Sequence, residues 1–64
     1  MQEYSVMFVD KNSNVHEFKF VNLECAIDYA FDVNKYASRC AYVFKHGELL
    51  YRVSDGVLTL AKDF

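Results

Sequence analysis

Apolar and polar side chains alternate twice over residues 3–21. In the first run Tyr4, Val6 and Phe8 fall on one side, and Ser5, Met7 and Val9 on the other. In the second, His16, Phe18 and Phe20 alternate with Val15, Glu17, Lys19 and Val21. A period of two is that of a pleated strand with one face buried. Between the runs stands the small polar cluster Lys11-Asn12-Ser13-Asn14, the composition of a turn. Together they predict a β-hairpin.

At Asn22 the period changes. Leu23, Ala26, Ile27, Ala30, Val33 and Ala37 recur at helical spacing and predict an amphipathic helix over 22–37. Asn22 is placed to cap it, because its side-chain oxygen can accept from free N–H groups of the first turn. Glu24 lies where the positive end of the helix dipole favours an acid. Three of the six stripe residues are alanine, so the helix can lie close to a sheet. Asn34 falls inside the stripe, which implies either fraying near Val33 or a buried amide with hydrogen-bond partners.

Beyond the helix, residues 39–53 read as two strands around His46-Gly47, and 53–61 as a turn at Ser54-Asp55-Gly56 with a short last strand. Arg39, Lys45 and Arg52 are expected to face water. That parity places Cys40, Tyr42, Phe44, Leu49, Tyr51 and Val53 inward. Leu58 and Leu60 are expected inward in the last strand, with Thr59 outward. The element order β-β-α-β-β-β predicts a single α+β domain over 1–64. One twisted antiparallel sheet would carry the helix across one face.

Composition narrows the function classes. Hydrophobic residues make up 53% of the chain and aromatic residues 17%, enough for a packed core in a small domain. Sixty-four residues leave few to wall a ligand cavity of roughly 300 Å³ or more, which argues against an enzyme. No catalytic constellation or Gly-rich phosphate loop is present. The only histidines, His16 and His46, and the only cysteines, Cys25 and Cys40, share no metal-ligand spacing. No catalytic residue, metal or cofactor is therefore expected. No apolar run approaches the ~18 residues of a membrane span, and the N-terminus has no basic leader. A cytoplasmic location is expected, in the host cytoplasm if the chain is viral.

Charge is unevenly placed. Residues 1–32 hold two Lys/Arg against six Asp/Glu, and residues 33–64 hold five against three. Glu24, Asp28 and Asp32 form a stripe opposite the apolar side of the helix, with Tyr29 and Tyr36 alongside. Solvation asks for polar residues there, but not for one sign of charge beside two rings. This face is the expected partner-binding surface. The chain then reads as a non-enzymatic module, an inhibitor or accessory protein, that binds a larger protein. A bacteriophage product acting on a host protein would have this size. One helix covers only one side of a sheet, so Met7, Val9, Ala41, Val43 and Leu50, expected on the other side, predict a homodimer. The alternative is single-stranded nucleic-acid binding on the basic outer sheet face by Lys19, Arg39, Lys45 and Arg52. Two features count against it: the expected inward parity of Tyr42, Phe44 and Tyr51, and a net charge of −2.

Overall fold

The computed structural model describes residues 2–64. The chain folds as the expected α+β domain. Strands β1 (Tyr4–Val9) and β2 (Val15–Phe20) precede helix α1 (Leu23–Tyr36). Strands β3 (Cys40–Lys45), β4 (Glu48–Ser54) and β5 (Val57–Leu60) follow, and a short 3-10 turn, Ala61–Asp63, comes last. The strands form one antiparallel sheet in the order β2-β1-β3-β4-β5. Three hairpins supply three of the four pairings. The β1–β3 pairing joins strands separated by the helix, which lies mainly over those two strands.

Turn chemistry sets the hairpins. His46 and Gly47 have φ of 50° and 79°, and Asp55 and Gly56 have 54° and 75°. Positive φ at both central residues suits the right-handed twist of the flanking strands, and glycine adopts it without penalty. In the β1–β2 turn, one carboxylate oxygen of Asp10 accepts from the N–H groups of Asn12 at 2.8 Å and Asn14 at 2.9 Å. Asp10 thereby satisfies donors that the turn leaves unpaired.

The helix begins as expected, with the Cys25 N–H donating to the Asn22 side chain at 2.9 Å. It ends where the N–H groups of Ala37 and Ser38 both reach the Val33 carbonyl. Asn34 does not fray the helix. Its amide nitrogen donates to the carbonyls of Ser38 at 3.2 Å and Arg39 at 2.6 Å, and its oxygen accepts from the Gly56 N–H at 2.8 Å. One side chain thus ties the last helical turn to the start of β3 and to the β4–β5 turn. Ser38 adds a link, its hydroxyl lying 2.8 Å from the Val9 carbonyl and 2.9 Å from that of Cys40.

The core consists of Val6, Phe8, Ala26, Ala30, Val33, Ala41, Val43 and Val53. This overturns the expected parity of β3. Ala41 and Val43 are fully buried beneath the helix. They stand opposite Phe8 and Val6 of β1, and opposite Val53 and Tyr51 of β4. Cys40, Tyr42 and Phe44 therefore lie on the other face, half-buried. The reason is steric. Ala26 and Ala30 bring the helix close to β3, where alanine and valine fill the gap; the one buried ring of the core, Phe8 on β1, packs with His16, Phe18 and Tyr29 toward the β2 side. Lys45, whose charge predicts the opposite parity, sits at the strand end on the helix face. Its ammonium reaches out over the Tyr4 ring, 5.6 Å from the centroid.

A register shift between Val43 and Phe44 changes β4 as well. Leu49 stands opposite Phe44, on the outer face, and Leu50 has no cross-strand partner. Phe18, Leu58 and Leu60 have the expected parity but lie on edge strands that the helix covers poorly. They remain 45%, 38% and 40% exposed. Of the residues expected to mediate self-association, Met7 and Val9 are on the uncovered face. Ala41 and Val43 are in the core, and Leu50 is half-buried in the bulge.

Candidate functional site

Two surfaces can meet a partner: the outer side of the helix and the uncovered side of the sheet. On the helix, Glu24, Asp28 and Asp32 are all exposed. Among the described residues the only ion pair is that of His16 with Asp10, so none of these three carboxylates is neutralised. Lys35 forms no ion pair with Asp32; its ammonium lies 5.2 Å from the centroid of the Tyr36 ring. Like charges one turn apart cost roughly 0.2–0.5 kcal/mol per pair. Tyr36 is 72% exposed, as a contact residue should be.

Tyr29 does not belong to this surface. Its ring packs against Phe8 at 6.4 Å and against Phe18 and Phe20 at 5.3 Å each, closing the β2 side of the core. Burial pushes its phenol pKa up. Helical spacing alone set Tyr29 beside the acids. The Phe-rich edge strand, visible as Phe18 and Phe20 in the sequence, was the signal that a ring would be drawn inward.

Asp32 stands at the edge of an open depression of about 860 Å³ at the C-terminal end of the helix. Phe31 and Tyr36 give it apolar walls, and Lys11, Lys35 and Arg39 a basic rim. A second depression, of about 550 Å³, shares Lys11 and Arg39 and continues to Tyr42 on the far side of the sheet.

On the uncovered sheet face the cross-strand register builds two rows. One runs Glu17, Met7, Tyr42, Arg52, Thr59, and the other Lys19, Ser5, Phe44, Leu49. The 3-10 turn brings Phe64 to this side, where the Arg52 guanidinium lies 4.4 Å from its ring centroid. The Arg52 Nε is buried without a hydrogen-bond partner. Sequence parity missed this juxtaposition: Tyr42 and Phe44 share a face with Lys19 and Arg52.

The chain's remaining polar cluster serves the turn. The second carboxylate oxygen of Asp10 lies 2.8 Å from His16 Nε2, and His16 stacks on Phe8 at 4.9 Å. The His16 hydrogen bond, assisted by the Asn14 and Asn12 N–H groups, holds the Asp10 pKa down at about 2. The thiol of Cys40 lies 3.5 Å from the Ser54 hydroxyl, and Cys25 is exposed; both are free. Among the described residues no three His, Cys, Asp or Glu side chains are grouped to hold a metal ion. No helix there is long and apolar enough to cross a membrane.

Comparison with protein-family models, with curated proteins and with solved structures gives no match.

Proposed function

We propose that the chain is a small non-enzymatic binding module that docks on a larger protein through the outer face of its helix. The observation that carries this reading is the row Glu24, Asp28, Asp32, exposed and without a cationic partner, opening at Asp32 onto the depression walled by Phe31 and Tyr36. The partner surface that complements it is basic opposite Glu24 and Asp28, and apolar where it enters beside Tyr36 within the rim of Lys11, Lys35 and Arg39. Carboxylates at the rim speed association and confer salt dependence, whereas a buried ring mainly slows dissociation. Tyr36, rather than Tyr29, takes the second role.

The test is affinity capture from a host lysate with wild type and Asp28→Lys/Asp32→Lys side by side, followed by surface plasmon resonance on the captured protein at two salt concentrations. Charge reversal is expected to slow association several-fold and flatten the salt dependence, with an unchanged melting temperature. Tyr36→Ala is expected to raise the dissociation rate. A partner that binds wild type and both variants alike would place the docking surface elsewhere and end this assignment.

A further inference from the structure

The uncovered side of the sheet combines features that the helix face lacks. Tyr42 and Phe44 are two residues apart on β3, so their Cα atoms are separated by about 6.8 Å along the strand. That is about twice the 3.4 Å rise of stacked nucleotides. Two bases lying on these rings would be unstacked from one another, each with its own platform. Arg52 stands directly opposite Tyr42 on β4, its guanidinium carbon over the Phe64 ring. Lys19 lies in the same cross-strand row as Phe44. Beyond Tyr42, Lys11 and Arg39 border the depression that continues from its ring. From Phe44 to Arg39 the track runs five residues, about 17 Å.

We propose that this face binds single-stranded nucleic acid, with Tyr42 and Phe44 stacking on bases and Lys19, Arg39 and Arg52 contacting phosphates. The occupant follows from charge complementarity. None of these cations is engaged by a carboxylate among the described residues, and in the register they flank the two rings, Lys19 on the β2 side and Arg52 on the β4 side. Rings accept any base, so the site is expected to be tolerant of sequence.

The net charge of −2 does not oppose this. The acids of the helix project from the other layer of a molecule 17 Å thick along its shortest axis. A Debye length of about 8 Å at physiological salt screens much of their field on the sheet face. Asp10 borders the track, but its carboxylate accepts from two backbone N–H groups and contacts His16. Glu17, next to Met7, is the one exposed acid within the two rows and limits affinity at that edge.

The chain has no tryptophan. Tyr42→Trp therefore places a single indole on the track, and stacking of a base quenches its emission. The probes are fluorescein-labelled dT12, rU12 and a 12-base-pair duplex, read by anisotropy, with indole quenching measured on unlabelled strands. The single strands are expected to bind more tightly than the duplex and to quench Tyr42→Trp. With three or four phosphate contacts, the logarithm of the association constant should fall against log salt with a slope of about −2 to −3. Tyr42→Leu and Phe44→Leu keep apolar volume but remove the ring face, and each is expected to weaken binding about tenfold. Asp28→Lys/Asp32→Lys should leave Tyr42→Trp quenching intact. The proposal is overturned if no strand binds at 100 micromolar protein, or if the Leu variants, folded by thermal melting, bind as wild type. It is overturned equally if sedimentation finds a dimer that those variants dissociate, because a second copy would then occupy the face.

Discussion

Val43→Ala separates the two possible parities of β3. Val43 is fully buried between Val6 and Tyr51 in the register and lies beneath the helix. Its replacement removes two methyl groups, each worth about 0.8 kcal/mol in transfer from water. The central strands are held by neighbours on both sides, so the site collapses little and a cavity term adds to the loss. About 2–3 kcal/mol in all follows. A 64-residue domain has roughly 3–10 kcal/mol of stability in total. At about 4–8 °C per kcal/mol for a domain of this size, the melting temperature should fall by roughly 10–20 °C. Tyr42→Ala, one residue away on the uncovered face, should cost less, about 1–2 kcal/mol, since its ring is only partly buried and the helix does not cover it. Differential scanning calorimetry of both variants gives the answer directly. If Tyr42→Ala collapsed the fold while Val43→Ala melted within a few degrees of wild type, Val43 could not lie under the helix. Close packing through Ala26 and Ala30 would then not set the parity of β3.

Asn34→Ala deletes three hydrogen bonds at a partly exposed site and should cost roughly 1.5–2 kcal/mol in total. Amide exchange at Gly56 should accelerate with it, and an unchanged Gly56 rate would show that the clip is not formed in solution. Asp10 has a depressed pKa, so its contribution to stability is present above the ordinary carboxylate value near 3.8 and is lost as pH falls toward about 2. Asp10→Asn should therefore melt below wild type at pH 5, with the gap closing between pH 4 and 2. A gap that stays constant across that window would remove the ionic role of Asp10.

The elements themselves were legible along the chain because each depends on local rules. Alternation gave both strands of the first hairpin. The Asn22 cap and the 3.6-residue stripe gave the helix, and His46-Gly47 and Asp55-Gly56 gave two turns whose φ values glycine and its neighbour can supply. The acidic row was equally readable, since residues four apart on a helix share a side wherever the helix packs. What the helix packs against is a different kind of fact. "CAYVFK" alternates equally well in either sense. Charge favoured one parity because Arg39 and Lys45 should reach water, and they do, from strand ends where either face suffices. The tertiary structure chose the other because Ala26 and Ala30 leave room for only an alanine and a valine on β3, the core's ring, Phe8, being packed toward β2. That choice withdrew Ala41 and Val43 from the surface, turned Tyr42 and Phe44 outward beside Lys19 and Arg52, and drew Tyr29 into a ring cluster with three phenylalanines. Spacing states which side chains travel together. Only the thickness of the gap between two packed layers decides which set goes inside.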